Sequence, residues 1–306
     1  MILLAYFLMN DNHASDSYAW AGLMLRQAYA MRLHRDPESV CPEASEVEKQ
    51  VRRKLWQAIS FQDTFLTVLL KLPPTATHSD VHPDSLVDES ILLSKGVDIY
   101  VGVSTRVLNL MSIDVIAPPA DNQHESPLLP QHATVAPSTD KTDCEYIRSM
   151  WKLSNLVQEN ICSPSSLSIP LFGSPRLKAS LISSFRALYR SFPTNLTTTD
   201  FGLLQRIAAT DLRTVRQNLW MNSNYYHCMM VMQASENEAV GVHCNIHGTL
   251  EAAHEAIWAF FKLYSLFEVE AGVWWVFQHR AFEEAVRVSY HTFCFYVIVW
   301  ADQDLA

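Results

Sequence analysis

Residues 45–74, SEVEKQVRRKLWQAISFQDTFLTVLLKLPP, constrain the fold more than any other stretch. Ser45 followed by Glu48 has the spacing of a capping box, in which side chain and backbone satisfy each other at a helix start. Arg52, Trp56, Ile59, Asp63, Leu66 and Leu70 then fall on one stripe of a 3.6-residue period. Pro73-Pro74 stops the run, because proline cannot continue a helix and restrains the residue before it. This predicts a helix over 45–70, too long and too apolar to stand without neighbours.

The rest of the chain supplies those neighbours in the same currency of periodicity. YAWAGLMLRQAYAMRL (18–33) has helical spacing, with Asp16 or Ser17 placed to cap it and Pro37 to end it. Helical spacing returns at Tyr146, Met150, Leu153, Val157 and Ile161, and again at Leu177, Leu181 and Leu188, with Phe185 and Tyr189 beside them. Three further stretches, 199–232, 245–267 and 273–300, read as helical. Residues 75–90 read as loop. In 90–111 a strand and a helix over 97–110 both fit, and the helix is preferred only because the rest of the chain is helical. With 8 Gly in 306 residues, turn-dense sandwiches and Gly-rich phosphate loops are poor fits. The expected class is all-α, an irregular multi-helix bundle forming one helical domain over 1–306. Its helical parts are 1–116 and 144–306, interrupted by a linker at 117–143. That linker carries Pro118, Pro119, Pro127, Pro130 and Pro137 among polar residues, so it buries too little apolar surface to offset its ordering entropy and is expected to be disordered.

Charge and cysteine usage narrow the function classes. Net charge is −9, and from Met232 onward ten acidic residues face three basic ones, a balance that repels phosphate backbones. Cys41, Cys144, Cys162, Cys228, Cys244 and Cys294 contain no CxxC pair and suit scattered reduced thiols rather than a disulfide framework or zinc module. MILLAYFLM lacks the basic region of a secretory signal. The apolar run Val288–Ala301 is 14 residues and includes His291, where a span needs about 20, so a buried helix is expected and no membrane contact.

Several side chains need a bland and a functional reading side by side. Arg52-Arg53 suits phosphate contact, but with Glu46 and Glu48 nearby an ion-pair network fits better. A carboxylate at Asp63 on an apolar stripe needs a partner, and Arg26, Arg32 or His34 are the candidates for an interhelical clamp. Leu66–Leu70 matches LxxLL, a docking pattern that core helices also produce. His243, His247, Glu251 and His254 are spaced by four, four and three on an assumed helical face, a weak metal candidate without HExxH and with Gly248 inside it. His227, behind Tyr225 and Tyr226, reads as a hydrogen-bonded, half-buried histidine. Its Met229, Met230 and Met232 neighbours also suit a small-ligand pocket between helices. No GxSxG, P-loop, GxGxxG or DDxxD run is present, so no catalytic residue is assigned and no enzyme is expected.

Five patterns in order resemble the fungal-specific transcription factor domain, the middle homology region of zinc binuclear cluster factors. They are AWAGLMLRQAYAMRLHRDP (19–37), EVEKQVRRKLWQAISFQDTFLTVLLKLPP (46–74), SDVHPDS (79–85), LWMNSNYYHCMMVM (219–232) and WWVFQHRAFEEAV (274–286). The matching positions are His34, Arg35, Arg52, Arg53, Trp56, Asp63, Pro73, Tyr226 and His227, read as a structural signature. Arg32 and Lys71 stand where members often have Gly, and Gln233-Ala234 where they often have Arg-Pro. The resemblance implies a nuclear regulatory domain that controls transcription by RNA polymerase II through coregulators, a small-molecule effector or a homodimer. It places zinc and DNA contact in an N-terminal six-cysteine module of full-length relatives, with no cofactor in this chain. The other readings left open are a DNA-free protein that sequesters transcription partners and a helical metal-dependent enzyme using the His-rich face.

Overall fold

The structure, a computed structural model, describes residues 1–76, 79–88, 91–92, 139–162 and 169–303; side chains are described for all of these except 139–142 and 291–303. It is all-α. The helices are α1 (Ile2–Asn10), α2 (Ala14–Ala30), α3 (Pro37–Val40), α4 (Glu46–Leu70), α5 (Thr139–Val157), α6 (Pro175–Arg190), α7 (Thr194–Thr197), α8 (Phe201–Ala208), α9 (Leu212–Ala234), α10 (Ile246–Leu266), α11 (Glu268–Val273) and α12 (Trp275–Gln303). Among the described residues there is no strand, only one antiparallel bridge between Asn237 and Val242. The interval 97–110 and most of the linker lie outside the described residues, and α5 reaches back to Thr139, into the expected linker.

α4 begins as its capping box dictates: Ser45 Oγ accepts from the Glu48 N–H, and the Glu48 carboxylate accepts from the Ser45 N–H. Instead of showing one buried stripe, α4 is buried on every side from Trp56 to Leu69. α2 packs along one side, α5 and the π-turn Gln158–Cys162 along another. Leu66, Val68 and Leu69 are core, so the LxxLL sequence here is packing. α9 is the second buried helix, covered by α10 along most of its length and by α5, α6, α7, α8 and α12 elsewhere. A helix surrounded in this way is the centre of a bundle. Both feed one continuous core in which Trp56, Trp151, Trp220 and Trp274 are buried.

Several boundaries differ from expectation for local reasons. α2 starts at Ala14, because α1 ends only four residues earlier, at Asn10; Ser17, expected as a cap, is buried and donates from Oγ to the Ala5 carbonyl at 2.8 Å. The face of α6 that goes inward is Lys178, Ile182, Phe185 and Tyr189, while Leu177 is exposed. The aromatic side chains cover more area than the leucines, so they set the helix rotation. The stretch 199–232 is two helices, since Asp211 accepts from the Thr214 N–H at 3.0 Å and starts α9 afresh. Arg32 and Lys71 have φ of 54° and 55°. These are left-handed residues just past α2 and α4, where glycine carries no Cβ penalty.

Candidate functional site

The signature residues fall into two groups. The first locks the turn between α2 and α4. Arg52 donates from Nη2 to the Met31 carbonyl at 2.6 Å, capping the end of α2. Arg53, almost fully buried, reaches Asp36 at 3.1 Å and Glu38 at 3.2 Å, and Lys49 reaches Glu38 at 2.8 Å. The ion-pair reading therefore holds with different partners for Arg53: Glu48 is occupied by the capping box, and α3 brings Asp36 and Glu38 over instead. Trp56 packs against the rings of Tyr29 and His34 at centroid distances of 5.6 and 6.1 Å. Arg35 Nε pairs with Asp80 at 2.6 Å, and the Asp36 N–H donates to the same carboxylate. Asp80 belongs to SDVHPDS, so this acidic loop is a latch on the His34-Arg35 turn.

Asp63 does not bond Arg26, Arg32 or His34. Its Oδ2 accepts from the backbone N–H groups of Thr75 and Ala76, each at 3.0 Å. Burial pushes its carboxyl above the ordinary range, and these two donors pull it back. Pro73 explains the preference. The chain reverses immediately after α4, the Pro73 carbonyl accepts from Tyr18 Oη at 2.6 Å, and the returning backbone supplies donors closer than any arginine. Asp63 thus clamps its own trailing loop, and Gln158 holds the other side by donating to the Ala76 carbonyl.

The second group lies where α4, α9 and α12 meet. His227 is fully buried rather than half-buried. Its Nδ1 is 3.1 Å from Glu284 and its Nε2 is 3.9 Å from Glu283. Burial pushes His227 down to about 3, helped by the Arg280 and Lys71 charges, and pushes Glu284 well above its usual range. Burial opposes charge on both partners, so the pair holds one shared proton and carries no net charge. Arg280 is also buried, its guanidinium 5.9 Å from the ring centroids of both Phe65 and Trp220 and 3.4 Å from Ser223 Oγ. Sequence reasoning missed Arg280 and Glu284. The available signal was an Arg and a Glu four residues apart on the Trp- and Phe-rich stretch 274–286.

Above this cluster opens a cleft of about 620 Å³. Val68, Met230, Val231, Phe282, Val286 and Tyr290 form its apolar walls, and Lys71, His227, Glu236, Glu283 and Arg287 are its polar members. Met230 is where the sequence put a pocket wall, whereas Met229 and Met232 turn into the core. Tyr226 lies on the far side of α9, edge-on to Tyr189, which stacks on Tyr225 at 3.8 Å.

The His-rich candidate is not assembled. Asn245 caps α10 by accepting from the Gly248 N–H at 3.1 Å, so His243 lies before the helix and shares no face with His247, Glu251 and His254. His254 instead accepts from Trp258 Nε1 at 2.7 Å. Gly248 is fixed by packing, since a Cβ there would meet Gln233 at 2.8 Å. Among the described residues no three His, Cys, Asp or Glu side chains form a group that could hold a metal ion, and the cysteines do not build a zinc cluster.

Residues 1–188, more than half of the chain, match the family model described as the fungal specific transcription factor domain. The chain belongs to the fungal specific transcription factor domain family. The match spans α1 to α5 and nearly all of α6, and so includes the Arg53 network and the Asp63 clamp. The fungal transcription factor domain is a regulatory domain and not an enzyme family. No curated protein and no solved structure matches the chain. No helix among the described residues is long and apolar enough to cross a membrane.

Proposed function

We propose that residues 1–306 act as one regulatory domain of a zinc-cluster type transcription factor, working in the nucleus to control transcription by RNA polymerase II. The family match over residues 1–188 carries this reading. DNA contact and zinc are assigned to the cluster module of full-length relatives, consistent with the acidic balance of the chain after Met232. Control runs through contacts with coregulators and an effector, by shifting the packing of α4 and α9 rather than by covalent chemistry.

The test tethers residues 1–306 to an unrelated DNA-binding module upstream of a reporter gene in a fungal host. The reading expects transcription to move severalfold from that of the module alone, upward or downward. Output equal to the module alone, from a fusion that is folded and nuclear, would contradict it.

A further inference from the structure

The cleft between α4, α9 and α12 has a chemistry that selects among ligands. Its volume, about 620 Å³, is within the range of small-molecule sites, roughly 300–1,000 Å³. On α12, Phe282, Val286 and Tyr290 follow one another at four-residue intervals and are each at least half exposed. Three large apolar side chains in a row, wet and concave, form a surface that water covers poorly.

The polar members are unequally satisfied. Lys71 pairs with Glu283 at 3.5 Å. Glu236 faces Lys178, whose ammonium is sunk beneath it on the carbonyls of Gln233, Ser235 and His243 at 2.8–2.9 Å. Arg287 has no hydrogen bond or ion pair among the described residues, so of the two cations and two carboxylates that line the cleft it is the cation without a partner. The histidine adds direction. Burial pushes Glu284 well above its usual range and so favours the protonated carboxyl, whose O–H can donate to His227 Nδ1, 3.1 Å away, leaving the ring hydrogen for Nε2. His227 is among the residues that line the cleft, and the Glu283 oxygen, 3.9 Å from Nε2, is too far to accept from it. Lys71, Arg287 and an imidazole N–H therefore stand around one end of an apolar trough.

We propose that this cleft binds an amphipathic organic monoanion, a carboxylate held by Arg287, Lys71 and His227 Nε2–H with an aliphatic or aromatic body along Met230, Phe282 and Val286. The assignment rests on the regulatory reading above and names its effector by chemical class. A cationic ligand of the same shape meets Arg287 without compensation, and a neutral one leaves Arg287 unpaired.

The test titrates the full chain calorimetrically with decanoate, decanol and decyltrimethylammonium, each below its self-association concentration. Decanoate is expected to saturate one site, with the other two at least about tenfold weaker. Arg287→Glu is expected to weaken decanoate at least about tenfold while leaving the melting temperature unchanged, since the side chain is exposed and unpaired. Arg206→Glu, the same reversal on exposed α8, is expected to change neither. Val286→Trp fills the trough and is expected to block binding without touching any charge. Equal binding of the three probes, no saturable binding, or an unchanged affinity in Arg287→Glu would each overturn the assignment. If decanoate fails to bind while the tethered domain still moves the reporter, the cleft assignment falls and the regulatory reading stands. If decanoate binds and the reporter is silent, the reverse holds.

Discussion

α4 and α9 are both surrounded by protein, and both carry polar side chains into the core, but they satisfy them differently. In the stretch of α4 from Asp63 to Thr67 the solution is local. Thr64 and Thr67 donate to carbonyls one turn back, and Asp63 accepts from the loop that leaves the same helix. In α9, Asn222 and Asn224 also bond one turn back, but other partners are distant. Asn218 donates to the carbonyls of Asn195 and Thr198, Asn222 bonds Tyr189, and His227 depends on Glu284 of α12. A helix that settles its polar groups within its own neighbourhood can form early and hold its shape. A helix whose polar groups are settled by three other helices reports on where those helices are. The cleft opens along the seam between the two.

Several substitutions break or sharpen this contrast. The largest effect is expected at Glu284→Ala, which leaves the buried His227 Nδ1 without its partner and opens a cavity beside Arg280. An unsatisfied buried group costs about 1–3 kcal/mol and the cavity adds to it, and urea unfolding should show the sum. Asp63→Ala leaves the Thr75 and Ala76 N–H groups without an acceptor and is expected to cost about 1–3 kcal/mol each where buried. Asp63→Asn keeps an acceptor oxygen and should recover most of that loss. An equal loss in both would place the role of Asp63 in its charge and not in loop closure.

The third expectation concerns pH. In the folded chain the His227–Glu284 pair holds one proton. Unfolded, with ordinary values of 6.5 and 4.5, the same two groups also hold one proton between those limits, so the pair contributes no slope there. Above 6.5 the unfolded chain holds fewer protons than the folded one, and stability falls as pH rises. Below 4.5 it holds more, and stability falls as pH falls. Glu284→Gln, with no proton to lose, should remove the alkaline decline in denaturation curves measured from pH 4 to 9. The smallest effect is a gain. Arg32→Gly, at φ 54° with no side-chain bond among the described residues, should add about 1 kcal/mol in thermal melts.

How legible each region was follows from the same contrast. α4 could be read because its determinants are close in sequence: the Ser45/Glu48 box, the stripe through Trp56 and the stop at Pro73. The partners of Arg53 and Asp63 were misjudged, because α3 and the Thr75-Ala76 backbone carry no side-chain signal of their role. α9 reads poorly because its determinants are distant in sequence. Its fixed points, Asn218, Asn222 and His227, look like ordinary polar residues until α7 and α12 are placed against them. The His-rich face failed for a short-range reason, the Asn245 cap that puts His243 off the helix.

The most direct test of the account is native-state hydrogen exchange along α4 and α9. If the two buried helices form one locked body, able to pass the state of the cleft from one to the other, their slowest amides should open with the same free energy, equal to that of global unfolding. Asp63→Ala and Glu284→Ala should lower both together. Amides of α4 that open at a lower energy than those of α9, or a substitution that loosens one helix and leaves the other unchanged, would contradict the account.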